Sequence, residues 1–148
     1  MVLPGELSFD EICDYFAQLK SGGTRSVTLT GGEPLLRSDL PSVIRVSKEF
    51  SFRTYLATNG LLLEDFAERI ANAGVDRVSI SIDGMFSTHN KLRGIPSAFE
   101  SAIAGIRKLK SIDGDLDVRI VTTISKDNIG EVRRIIDLCN ELGVIMGL

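Results

Sequence analysis

The feature that most constrains this chain is a repeated alternation. Runs of β-branched and apolar residues over 26–30, 52–57, 77–82 and 118–123 each stop abruptly, and each is followed by a stretch with helical spacing. Runs this short and this rich in Val, Ile and Thr read as buried strands. Between and after them, Leu63, Phe66 and Ile70 fall on one face of a helix, as do Ile103, Ile106 and Leu109, and then Val132, Ile135, Ile136, Cys139 and Leu142. Residues 144–146 read as the opening of one more strand. No hairpin signal joins any two runs. Strand, crossover helix and strand in that order mean right-handed βαβ units and a parallel sheet with helices on at least one face. Two architectures fit this α/β pattern, a doubly wound open sheet and a segment of a β/α barrel, and periodicity does not separate them.

The punctuation supports the alternation. Residues 1–7 read as an irregular lead-in containing Pro4-Gly5, and Ser8-Phe9-Asp10-Glu11 then matches a capping box. Ile12, Phe16 and Leu19 follow at helical spacing before Gly22-Gly23 stops the helix. Pro41 sits in the first turn of a helix over 39–49, where its missing N–H does no harm. Gly74 and Gly143 close two later helices. A loop of about a dozen residues precedes Ser97-Ala98-Phe99-Glu100, a second capping box, and Asn128 with Glu131 is expected to cap the last helix.

Composition narrows the function classes. A chain of 148 residues fits one domain and can bury roughly 70% of its unfolded surface. The net charge is −3 with no basic block, so nucleic acid is not expected as a partner, because phosphate neutralisation needs clustered Lys and Arg. No apolar run approaches the roughly 20 residues that span a bilayer, and the N-terminus lacks the plan of a signal peptide. No membrane partner and a cytoplasmic location are therefore expected. Cys13 and Cys139 lie far apart, each within an apparent helix, and are expected to be buried, unpaired core thiols.

In both candidate architectures ligands gather at the carboxyl ends of the strands. Those ends hold Gly31-Gly32-Glu33, Thr58-Asn59, Ser81-Ile82-Asp83, and Thr122-Thr123 with Ser125. Each is small and polar, or acidic. A row of hydrogen-bonding groups along one rim points to a small-molecule site. The two adjacent glycines permit a tight turn and a close backbone approach to a ligand, and Glu33 brings a carboxylate to the mouth of its strand.

Three of these motifs in series carry a family resemblance. Leu29-Thr30-Gly31-Gly32-Glu33-Pro34-Leu35-Leu36, Ala57-Thr58-Asn59-Gly60, and Val78-Ser79-Ile80-Ser81-Ile82-Asp83-Gly84 with His89 and Arg93-Gly94 resemble the core of a radical S-adenosylmethionine (radical SAM) enzyme. The similarity extends in order and spacing over nearly the whole chain. It is greatest to the branch that includes the molybdenum-cofactor cyclase, the haem-pathway enzymes, the sulfatase-maturing enzymes and the peptide-modifying enzymes with extra C-terminal clusters. The resemblance implies a parallel-stranded partial (β/α) barrel, TIM-barrel-like, of which this chain supplies strands two to five and the start of six. It also implies S-adenosylmethionine as cofactor and a [4Fe–4S] cluster held by three cysteines.

Site roles follow from the resemblance. The turn Gly31-Gly32-Glu33 would accept hydrogen bonds from the cofactor's amino group, and Ser81 or Ser79 with Asp83 would hold its ribose hydroxyls. Strand alternation puts Ser79 and Ser81 on the same face. Arg93 would pair with the cofactor carboxylate, Thr58 and Asn59 would order the rim, and His89 is read as a loop residue. One element of the family pattern is missing: there is no C-x₃-C-x₂-C, and Cys13 and Cys139 do not replace it. The cluster is accordingly expected in a longer parent, of which this is an internal piece that holds the cofactor without cleaving it. The substrate, a small molecule or a peptide, is left open. Cut barrel edges lead us to expect self-association or marginal stability. Two alternatives stand beside this reading. One is another β/α-barrel enzyme, although no Gly-rich phosphate loop or strand-end Schiff-base lysine is evident. The other is a cluster-free nucleoside-binding or partner-subunit protein.

Overall fold

The computed structural model describes residues 5–147. In chain order the elements are α1 (Phe9–Ser21), β1 (Ser26–Leu29), a 3₁₀ turn (Pro34–Leu36), α2 (Leu40–Glu49), β2 (Arg53–Thr58), α3 (Leu63–Asn72), β3 (Arg77–Ser81), α4 (Phe86–Arg93), α5 (Ala98–Ile112), β4 (Asp117–Val121), a second 3₁₀ turn (Ile129–Glu131), α6 (Val132–Leu142) and β5 (Ile145–Gly147). All strand pairings are parallel, and the strand order across the sheet is that of the sequence.

That order decides between the two architectures. A doubly wound sheet needs a point where strand order reverses, which is how it places helices on both faces. Here every crossover advances in the same direction, and right-handed crossovers that never reverse put every helix on one side. The result is an open arc of a β/α barrel. Alternation along the strands agrees. Thr54, Leu56, Val78, Ile80, Val118 and Ile120 point to the helices and are buried, whereas Tyr55, Ala57, Ser79, Ser81, Arg119 and Val121 occupy the other face and are half-buried.

Two apolar clusters lie under the helices. The larger joins α2, α3, α5 and α6 to the sheet through residues such as Ile44, Leu63, Ile70, Ile106 and Ile135. The smaller sets Phe16 of α1 edge-on to Phe52, with Phe50 stacked beside it. The tightest helix contact is between α3 and α5, where a Cβ on Gly105 would stand 2.6 Å from the Leu63 Cβ. Among the described residues no helix is long and apolar enough to cross a membrane.

Several expectations need correction. The first capping box forms, with Ser8 Oγ accepting from the Glu11 N–H and Glu11 Oε2 from the Ser8 N–H. The second does not. The expected loop before Ser97 contains α4, and Asn90 from that helix takes over the cap, its Oδ1 accepting the Phe99 N–H at 2.8 Å while its amide donates to the Pro96 carbonyl. Asn128 and Glu131 make no side-chain cap on α6, because both are drawn to the β3 tip. Cys139 is buried, but Cys13 is only partly so, and both thiols are free. Of the expected lead-in, residues 1–4 lie outside the described residues.

Candidate functional site

The β1 and β2 tips are tied together by one carboxylate. At the end of β1 the chain leaves through Gly31, whose φ of +147° disfavours a side chain, and enters the 3₁₀ turn with Glu33 as its cap. Glu33 Oε1 accepts the Leu35 N–H at 3.0 Å and the Thr58 hydroxyl at 2.7 Å, and Oε2 accepts the Asn59 N–H at 2.8 Å. Thr58 is buried, and its oxygen also accepts the Gly60 N–H, while Asn59 Oδ1 accepts the Leu61 N–H. Thr58 and Asn59 therefore shape the β2 turn, and Glu33 binds that turn to β1. A carboxylate offers about four acceptor positions, so this arrangement leaves one free on Oε2.

The β3 and β4 tips are tied by a second carboxylate. Asp83 Oδ2 is ion-paired with Arg93 at 2.6 Å, and Oδ1 accepts the Thr123 N–H at 3.0 Å. The Asp83 N–H donates to His89 Nδ1 at 3.0 Å, and its carbonyl accepts from Asn128 Nδ2 at 2.9 Å. Thr122 reinforces the join by donating its hydroxyl to the Ile82 carbonyl. Glu131 receives the Met85 N–H at 2.7 Å, which closes the turn after Gly84. His89 is thus no loop residue but a fully buried member of α4. Burial pushes its pKa down from the ordinary 6.5, the neighbouring Arg93 adds to this, and Asp83 opposes it.

What the two ties leave free defines the site. The backbone groups of Gly31 and Gly32 hydrogen-bond to nothing among the described residues, and a Cβ at either would meet open space. The Ser79 and Ser81 hydroxyls likewise have no partner among the described residues and share the helix-free face of β3. Lower on that face the Arg77 guanidinium lies over the Tyr55 ring, 4.5 Å from its centre. Asp117 accepts from both Arg77 and Arg119 there, and these two arginines hold its carboxyl below the usual range. Ser79 is level with Arg119, whose guanidinium turns to Asp117 one step lower, and Ser81 is level with Val121, one step above the charged group. A separate groove of about 760 Å³ runs between α1 and the free edge of β1, past Tyr15, Phe16, Val27 and Leu29, and reaches Gly31–Glu33 at its upper end.

All nine sequence-assigned site residues lie at one end of the sheet or just inside it. Glu33, Thr58 and Asn59 meet in one group and Asp83 meets Arg93 in another, while Gly31, Gly32, Ser79 and Ser81 present the unbonded polar groups. Arg93, assigned to a cofactor carboxylate, spends one Nη on Asp83. Sequence reasoning placed Thr122 at the rim but did not single out Asn128 or Glu131 for it. The only local signal for these two was their place just after the β4 run.

The similarities to known proteins bear on this geometry. A family model described as the radical SAM superfamily matches residues 1–139. The AdoMet-dependent heme synthase of Methanosarcina barkeri is 41% identical over 143 residues, covering 95% of this chain and 40% of that protein. A probable GTP 3',8-cyclase of Methanococcus maripaludis is 34% identical over 142 residues, covering 95% of this chain and 47% of that protein. Among solved structures, Streptococcus suis SuiB bound to S-adenosylmethionine shares the fold with a TM-score of 0.79 at 20% identity, over 97% of this chain and 33% of that one. The chain spans less than half the length of these curated relatives. With a family model matched over nearly all its length and relatives in the haem-pathway and cyclase branches, this chain belongs to the radical SAM superfamily.

Proposed function

We propose that this chain is the S-adenosylmethionine-holding part of a radical SAM enzyme, and that the reaction itself belongs to a longer protein. The observation that carries the reading is the set of polar groups left unbonded at the sheet's carboxyl end, the Gly31 and Gly32 backbone and the Ser79 and Ser81 hydroxyls. Backbone carbonyls at the glycine turn and the spare position on Glu33 suit the amino group of a methionine moiety, which is a donor. The two serine hydroxyls, one rung of the sheet apart on one face, suit ribose hydroxyls, which both donate and accept.

An iron–sulfur cluster does not fit the residues present. Cys13 is on α1 and Cys139 on α6, and no three Cys, His, Asp or Glu side chains converge to hold a metal among the described residues. In this family the cluster supplies the electron that makes bound S-adenosylmethionine a source of the 5′-deoxyadenosyl radical. The present residues bind and orient the cofactor, and the cluster ligands come from elsewhere in the longer protein. The substrate is a small molecule or a peptide that meets the cofactor at this rim.

Calorimetric titration of S-adenosylmethionine tests the reading, with Ser79→Ala and Ser81→Ala as variants. Saturable binding that weakens about threefold to tenfold in at least one variant is expected, the effect of losing one hydrogen bond. Absence of saturable binding in the millimolar range, or binding indifferent to both changes, would overturn it.

A further inference from the structure

We propose that His89 is a positioning residue for the cofactor rim: through Nδ1 it holds the Asp83 peptide in place, and with Arg93 it fixes how the β3 tip meets β4. The proposal rests on the reading of the rim as an S-adenosylmethionine site and adds a residue that acts without touching the ligand. His89 and Arg93 are four apart on α4 and so face the same way. They grip the two ends of one residue. His89 takes the Asp83 N–H at 3.0 Å, and Arg93 takes its carboxylate at 2.6 Å.

The imidazole is completely buried, yet Nε2 has no hydrogen-bond partner among the described residues. A buried donor without an acceptor is unfavourable, and an apolar side chain here would avoid it. What the ring gains is therefore at the other nitrogen, where the Asp83 N–H is its one hydrogen bond. Because Nδ1 accepts, the neutral ring carries its proton on Nε2. Protonation would set an N–H against the Asp83 N–H.

Burial and then Arg93 favour the neutral ring, and Asp83 opposes them. Arg93 faces it from the same helix, and Asp83 faces it from the end of β3. Glu131, from the turn before α6, engages the Met85 N–H next to Gly84, and α5 presents the edge of Phe99. Acidification thus releases the Asp83 peptide. The ordered carboxylate and the Thr123 N–H it holds then lose one of their anchors.

Two variants of similar polarity separate the nitrogens. His89→Asn can place its amide oxygen where Nδ1 sits, whereas His89→Gln places its polar end near Nε2. The test measures S-adenosylmethionine affinity by calorimetry from about pH 5 to about pH 8, amide hydrogen exchange at Asp83, and the ring ¹⁵N shifts that report the tautomer. Expected results are a loss of about tenfold or more in His89→Gln and less than about threefold in His89→Asn. Wild-type affinity should fall as pH drops below the ordinary histidine range, and that of His89→Asn should stay flat. Equal losses in the two variants, or a proton found on Nδ1, would overturn the proposal. If the wild type does not bind S-adenosylmethionine at all, the functional reading fails separately. Asp83 exchange then decides the positioning role: slow in wild type and His89→Asn but fast in His89→Gln supports it, and equal rates in all three refute it.

Discussion

Removal of the Glu33 carboxylate by Glu33→Ala should cost about 3 kcal/mol of stability. The estimate counts the three donors left behind. The Thr58 hydroxyl belongs to a buried residue and bears most of an unsatisfied group's penalty, about 1–2 kcal/mol. The Leu35 N–H, on a residue that is itself buried, and the Asn59 N–H, on a half-buried one, each lose about the net worth of one hydrogen bond, about 0.5–1 kcal/mol. For a chain of this size that is a fall in Tm of about 6–12 °C. Glu33→Gln keeps the two bonds on one oxygen but turns an NH₂ toward the Asn59 N–H, so it should cost about 1–2 kcal/mol. Urea unfolding reads the difference as a lower midpoint with an unchanged slope. A Glu33→Ala effect below about 0.5 kcal/mol, or a glutamine as damaging as alanine, would refute the reasoning. Because Glu33 joins β1 to β2, weaker cofactor binding in these variants does not by itself demonstrate a direct contact.

Three further outcomes are expected. Gly84→Ala forces a Cβ into a backbone with φ of +157° and within 2.7 Å of Thr88, and should cost about 2 kcal/mol or more by urea unfolding, with Asp83 exchange quickened. Asp117, held below its ordinary value of 3.8 chiefly by its hydrogen bond from Arg119, contributes stability that is present above that value and lost as pH falls through the depressed one. Asp117→Asn should therefore flatten the acid limb of a stability profile, and an unchanged limb would count against the pairing. The free edges of β1 and β5 present unpaired backbone groups, so sedimentation and the unfolding midpoint should both depend on protein concentration. A concentration-independent monomer would contradict this.

The sheet and most helices were legible because they are periodic. Ile103, Ile106 and Leu109 repeat at helical spacing and all three are buried. α4 escaped notice because its buried residues are His89 and Asn90, polar side chains held by tertiary partners rather than by an apolar stripe. Capping shows the same division. The Ser8–Glu11 box forms where nothing competes for it, but Ser97 yields to Asn90, and Asn128 and Glu131 leave their own helix for partners on the β3 turn. The last two join positions more than forty residues apart, and no local pattern encodes them. Barrel arc or doubly wound sheet was likewise a question of strand order, which periodicity does not carry. At the site, both acids were recognised from their place at the strand ends. Which donors they satisfy depends on the neighbouring tips, and only the folded chain reveals that each carboxylate is first a tie between two strands.

The most direct test of the central claim follows backbone amide resonances while S-adenosylmethionine is added to the chain. Saturable shifts concentrated at Gly31, Gly32, Asn59, Ser79, Ser81 and Asp83, with α1 and α6 undisturbed, are expected if one rim holds the cofactor. Shifts centred on the helix-covered side, or spread without saturation over the surface, would contradict it.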